Sequence, residues 1–222
     1  MRPGRAVPAS AARTAGGKYI IIPVMSRALL IPLVVIAVLI VGIGAWAVSV
    51  NNQLVVLDQG VGEKWAQVQN VYQRRADLIP NLVETVKGFA AQERTVLEEV
   101  TKARASATSI QLTPEALNDP SALKRFQEAQ AQLSGALSRL LVNVERYPEL
   151  KSNQNFLALQ SQLEGTENRI AVERRRFNEA VREYNTRLRI FPGSIVARFA
   201  GYQPKAFFEA ASDAATPPKV KF

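Results

Sequence analysis

Apolar and polar positions are arranged along this chain in two different ways. From Ala28 to Val50 there is no alternation, because the 23-residue run ALLIPLVVIAVLIVGIGAWAVSV carries no charge. As a helix it would rise about 35 Å, against a hydrocarbon core roughly 30 Å thick. In lipid a single span must satisfy its backbone polar groups internally, so a transmembrane helix over 28–50 is predicted. Pro32 falls in its first turns, where a missing N–H costs least, and Trp46 falls near the far end, where an indole prefers the interface. Beyond residue 50 apolar residues recur three or four apart, the period of a helix with one buried face.

Leu54, Leu57, Val61, Trp65, Val68, Tyr72, Arg75 and Ile79 form the first stripe, and Pro80 predicts a kink or break around Asp77–Pro80. A second helix is expected from Asn81 to about Ser109, with Glu93 as a polar group on its stripe that needs an interior partner. After the connector IQLTPEALNDP, Asp119 and Pro120 read as N-cap and first position of a third helix. Its stripe is Leu123, Phe126, Gln130, Leu133, Leu137, Leu140, Val144 and Tyr147, and only Gln130 breaks the apolar rule. Pro148 ends it. A fourth helix is expected from about Glu149 to Ile190, on Leu159, Leu163, Thr166, Ile170, Phe177, Ala180, Tyr184 and Leu188, and Phe191-Pro192-Gly193 stops it.

No stretch alternates at period two. The expected fold class is therefore all-α, an N-terminal transmembrane helix followed by an antiparallel four-helix-type bundle of long helices over 51–191. A tail over 192–222 carries a short aromatic-rich segment, with a frayed end, and a basic, disordered segment over 1–27 precedes the span. A coiled coil zipping between chains is the alternative, but the Pro-marked reversals at 111–120 and 148 favour folding back within one chain.

Charge changes this picture in one respect. The formal net charge is +9, which by itself suggests nucleic acid. Arg2, Arg5, Arg13, Lys18 and Arg27 all precede the apolar run, with no acid among them, and only +4 remains beyond it. The excess is chiefly a topology signal that places the N-terminus on the cytoplasmic side of the cell membrane and the bundle outside; no nucleic-acid partner is expected. Ala45-Trp46-Ala47 also fits a signal-peptidase pattern, but the run is longer than a usual cleaved segment, so an uncleaved anchor is expected. Met25-Ser26-Arg27 would itself make an ordinary start, and beginning there would weaken the charge bias.

The chain contains no Cys and no His. That excludes disulfides, thiolate nucleophiles, Ser-His-Asp triads and the common zinc and di-iron motifs. No phosphate loop or nucleophile elbow occurs, so no cofactor, metal or small-molecule substrate is expected and the protein reads as non-enzymatic. Glu164 and Glu167 share a helix face, where paired carboxylates can do acid–base work. With Arg74, Arg75 and Asp77 in reach, hydrogen-bonded ion pairs that fix helix register are the stronger reading. Late in the fourth helix, Arg169, Arg174, Arg175, Arg176, Arg182, Arg187 and Arg189 alternate with Glu173, Glu179 and Glu183, as on a solvated, salt-bridged face. Arg198, Tyr202, Lys205, Phe207 and Phe208 are candidates for contact with a membrane surface or partner, with packing against the bundle end an equal reading. Ala45 and Ser49 are a small-xxx-small pair that would suit self-association.

The runs WAQVQNVYQRRADLIPNLVETVKGFAAQERTVLEEVTKARA and LEGTENRIAVERRRFNEAVREYN resemble two blocks of the LemA family, a likeness extending over about residues 51–209. The resemblance implies a membrane-anchored helical bundle without recognised catalytic residues. It places the family's recurring polar positions on Arg74, Arg75, Asp77, Asn81, Glu164, Glu167, Asn168, Arg169, Asn178 and Asn185, as structural or interaction residues. It also points to a bundle on the cytoplasmic side, opposite to the charge bias, and both topologies stand. A scaffold contacting the bilayer and either itself or another membrane protein is the implied function, and a membrane metalloprotease is one such partner. The alternative is a lipid-binding or membrane-remodelling protein using the basic fourth helix and aromatic tail.

Overall fold

A computed structural model describes residues 27–89 and 92–209. The basic segment and the frayed end expected from the sequence lie outside the described residues, apart from Arg27. Among the described residues the regular structure is helical, with no strand: α1 (Arg27–Phe89), α2 (Arg94–Ser109), α3 (Pro120–Val144), α4 (Pro148–Lys151), α5 (Gln154–Arg189) and α6 (Gly193–Ala200). A short 3-10 turn, Glu115–Asn118, lies between α2 and α3. The chain forms two compact units, Met1–Gly44 and Ala45–Phe222, and α1 contributes to both.

In the first unit α1 carries the apolar run, and Leu33, Val34, Ile36, Leu39 and Ile40 are each more than half exposed. Burying one such side chain is worth about 1.5–3 kcal/mol, so a helix left bare in this way belongs in lipid rather than water.

In the second unit the predicted stripes meet. The first helix stripe packs through Leu54, Val61, Trp65, Val68 and Tyr72 against Leu123 and Phe126 of α3 and Ile170, Phe177, Val181 and Tyr184 of α5. A separate apolar block joins Ile79, Leu82 and Val86 of α1 to Leu97 and Val100 of α2, Leu133, Leu137 and Leu140 of α3, and Phe156 and Leu163 of α5. Trp65 centres the first block, with ring centroids 5.5 Å from both Phe126 and Phe177. Between the two blocks the stripes carry Arg75, Gln130 and Thr166, all buried.

Helix boundaries differ from expectation at two places. The break expected at Asp77–Pro80 is absent, and α1 runs through Pro80 to Phe89. Proline removes the N–H that would bond the carbonyl four residues earlier. Here that carbonyl, on Ala76, accepts instead from Arg104 Nε of α2 at 2.7 Å. The Pro80 ring itself faces solvent. The apolar stripe continues across it through Ile79, Leu82 and Val86, so α2 begins only at Arg94. Arg104→Ala is expected to cost about 1–2 kcal/mol by orphaning this carbonyl. Most of that loss is expected to vanish in a Pro80→Ala background, where the helix supplies its own donor; urea denaturation of the four variants measures the coupling.

The second difference is that the fourth helix does not run unbroken from Glu149. Asn153 caps a new helix by accepting from Phe156 N at 3.0 Å, leaving α4 as one turn. By contrast, Asp119 caps α3 as expected, accepting from Ser121 N at 2.8 Å. After α5, the apolar piece at 195–200 is helix α6, which ends at Gly201 in the left-handed region, φ 78°. Gly193 at its start sits so close to α5 that a Cβ there would overlap the Arg187 carbonyl.

Candidate functional site

Two polar constellations organise the second unit. The first is built on Arg75, whose side chain is 2% exposed. Its Nη1 donates to Ser134 Oγ at 2.8 Å and to Glu167 Oε1 at 2.7 Å, and its Nη2 donates to Gln130 Oε1. Gln130 Nε2 in turn donates to Ala107 O at 3.2 Å. One guanidinium on α1 is thus tied to α3 and α5, and through Gln130 to α2. Two of the polar interruptions visible in the stripes, Arg75 and Gln130, are each other's partners. Thr166 completes the level with a bond from its hydroxyl to Gln162 O at 2.7 Å. Charge-assisted bonds of this kind fix register between helices, because a slip by one turn would strand the buried cation in an apolar block.

The carboxylate pair separates. Glu167 turns to Arg75, while Glu164 is exposed and accepts from Gln160 Nε2 at 3.0 Å. Asp77 accepts from Gln73 Nε2 at 2.7 Å on the surface, and Arg74, Asn81, Asn168 and Arg169 are exposed. Glu93 has the partners expected of it, Tyr147 Oη at 3.0 Å and Asn143 Nδ2 at 3.3 Å, but from the turn before α2 rather than from a helix stripe.

The second constellation joins residues that the sequence assigned to different roles. Asn185 on α5 donates from Nδ2 to Lys205 O at 2.8 Å and accepts from Lys205 N at 2.9 Å. Two turns earlier, Asn178 does the same with Phe208, at 3.0 and 2.9 Å. These two amides clamp the extended segment 202–209 along α5, in the way a neighbouring strand would. Its inward-facing residues have further partners, while Gln203, Pro204, Phe207 and Glu209 are exposed. Ala206 N donates to Leu117 O at 2.8 Å, the Lys205 ammonium lies 2.9 Å from Asp58 Oδ1, and the Phe208 ring packs 6.0 Å from Trp65 and 5.4 Å from Phe177. Arg174 covers Phe208 at 4.7 Å. Tyr184 Oη donates to Gln203 O at 3.2 Å; burial, with Asp58 nearby, raises its ionisation far above the usual tyrosine range, so it stays a neutral donor.

Of the five residues proposed for membrane or partner contact, Lys205 and Phe208 are therefore interior and do not face a bilayer. Arg198 and Phe207 are exposed, and Tyr202 is half-buried with its hydroxyl 3.3 Å from Asn51 Oδ1. The sequence reading also missed Asp58, Arg104 and Ser134. An open groove of 1630 Å³ runs between α1 and α5, lined by Val48, Asn52 and Val56 and by Glu179, Glu183 and Arg187. Among the described residues no cluster of carboxylates could hold a metal ion.

One helix that begins as an apolar, lipid-suited segment and continues as the first stave of a bundle defines a membrane-anchored helical-bundle protein. The chain belongs to the LemA family, whose model matches residues 64–222. It is similar to magnetosome protein MamQ of Magnetospirillum gryphiswaldense, 25% identical over 173 residues that cover 71% of this chain and 64% of that protein. Magnetosome proteins MamQ 1 and MamQ 2 of Paramagnetospirillum magneticum are likewise 25% identical, over 174 residues with the same coverage. The chain thus spans a little under two thirds of the length of these curated relatives.

Proposed function

We propose that the protein is a non-catalytic, membrane-anchored scaffold whose bundle meets another membrane protein or a second copy of itself. The observation that carries this reading is the use of its buried polar groups. Arg75 is bound to Glu167 and Gln130, Gln130 to the Ala107 carbonyl, Asn185 to the main chain of Lys205 and Lys205 to Asp58, pairings between elements that suit a role in holding helices in register. Outward-facing charge on α5 and the groove it forms with α1 then offer the surfaces for recognition. A membrane metalloprotease is one partner of this kind to which the family resemblance points.

Photo-crosslinking in intact membranes tests the proposal. A benzoylphenylalanine at Val56, which is 69% exposed in the groove, is expected to capture either a second copy or an integral membrane protein. Recovery of neither by mass spectrometry, with the protein folded and membrane-inserted, would remove the support for a scaffold.

A further inference from the structure

Going beyond the scaffold reading, we propose that α6 and the turn before it form a second membrane contact, inserting Phe191, Ile195 and Phe199 into the lipid headgroup region beside the end of the transmembrane run. Outside that run, large exposed apolar side chains concentrate here: Ile190, Phe191, Ile195 and Phe199 fall within ten residues of sequence. Phe199 is 89% exposed and Phe191 72%, and a helix that buries only Gly193 and Ala197 against the bundle turns its larger side chains outward. Such a face is costly in water and favourable at an interface.

The occupant follows from what this patch touches. Phe191 packs on Trp46 with ring centroids 6.0 Å apart, and Trp46 lies in the last turns of the uncharged run, where an indole prefers the interface. Tyr202, just past α6, reaches Asn51 on α1. These two contacts hold both ends of α6 at the level where α1 leaves the apolar run, so its outward face meets headgroups whichever leaflet is involved. Charge agrees: from Tyr184 to Phe208 there is no acidic residue, while Arg189 and Arg198 flank the aromatic face and are exposed. Anionic headgroups suit that arrangement. The basic length of α5 is not part of the surface; Arg176, for example, lies 2.8 Å from Glu173.

The absence of cysteine makes the test direct, since any introduced thiol is unique. Full-length Phe199→Cys, Ile195→Cys and Val142→Cys variants are labelled with a polarity-sensitive fluorophore. Each is reconstituted into phosphatidylcholine–phosphatidylglycerol vesicles containing lipids with a nitroxide on the headgroup or high on the acyl chain. Val142 is the control, being 66% exposed on α3 beside the second apolar block. The expected result is a blue-shifted emission and several-fold stronger lipid quenching at 199 and 195 than at 142. Water-like emission at 199 and 195, with quenching no greater than at 142 and helicity retained, would overturn the proposal. So would efficient disulfide formation between two 199 cysteines without lipid quenching, because the face would then belong to a second copy.

Discussion

Glu167→Ala is expected to destabilise the bundle by about 2–3 kcal/mol, although Glu167 is itself only half-buried, because the variant leaves the guanidinium of Arg75 buried without its counter-charge. The figure is at the lower edge of what a broken buried pair costs, since the Glu167 side chain is 44% exposed and water already screens its end of the pair. With the carboxylate gone, Ser134 and Gln130 must hold the cation alone. Replacing the charge as well should reverse part of the effect. A Glu167→Ala, Arg75→Met, Gln130→Leu triple variant is expected to be more stable than the single variant, because an apolar level needs no counter-charge, but to fall short of the parent by the Ala107 carbonyl that Gln130 no longer satisfies. Urea denaturation in detergent micelles, followed by the buried Trp65, measures both. A single variant as stable as the parent would mean the cation is held by its neutral partners alone.

Asn185→Ala should have a comparable effect, but a local one. It leaves both the N–H and the C=O of Lys205 unpaired in a buried position, each worth about 1–3 kcal/mol. The segment 202–209 is expected to leave its seat on α5, and the Lys205–Ala206 bond, buried in the parent, becomes a trypsin site. Asn178→Ala should release less of it, since Asn178 is only half-buried and pairs nearer the segment's end. Limited proteolysis with mass spectrometry reads cleavage at that bond directly. Lys205→Met keeps the backbone pairing and removes the ammonium's contacts with Asp58 and the Pro114 carbonyl; it is expected to stay seated, read by protection of the residue 205 amide from hydrogen exchange because trypsin no longer has a site there.

What the sequence disclosed depended on the kind of interaction. Stripes at helical spacing gave the all-α architecture, and a polar residue interrupting an apolar stripe marked Arg75 and Gln130 as interior groups. Asp119-Pro120 announced the start of α3 because both elements of that signal are local. Pro80 misled because its compensation comes from Arg104 on another helix, at a separation no local pattern encodes. Asn178 and Asn185 were singled out as polar positions, but their partners are main-chain groups of Lys205 and Phe208, and a backbone amide has no sequence signature. That is also why Lys205 and Phe208 resembled surface residues: a lysine and an aromatic in a Pro- and Gly-marked tail look exposed until the clamp that seats them is seen.

The polar level at Arg75 has a consequence for how the bundle opens. The buried residues of α2 belong to the block beyond it, and the seated Phe208 belongs to the block around Trp65. Only α1, α3 and α5 pass through the boundary. Apolar packing spreads cooperativity by contact, and here the contact is interrupted by one hydrogen-bonded layer. The two blocks are therefore expected to open with reduced coupling, so that hydrogen exchange finds α2 fraying at a lower free energy than release of the whole bundle.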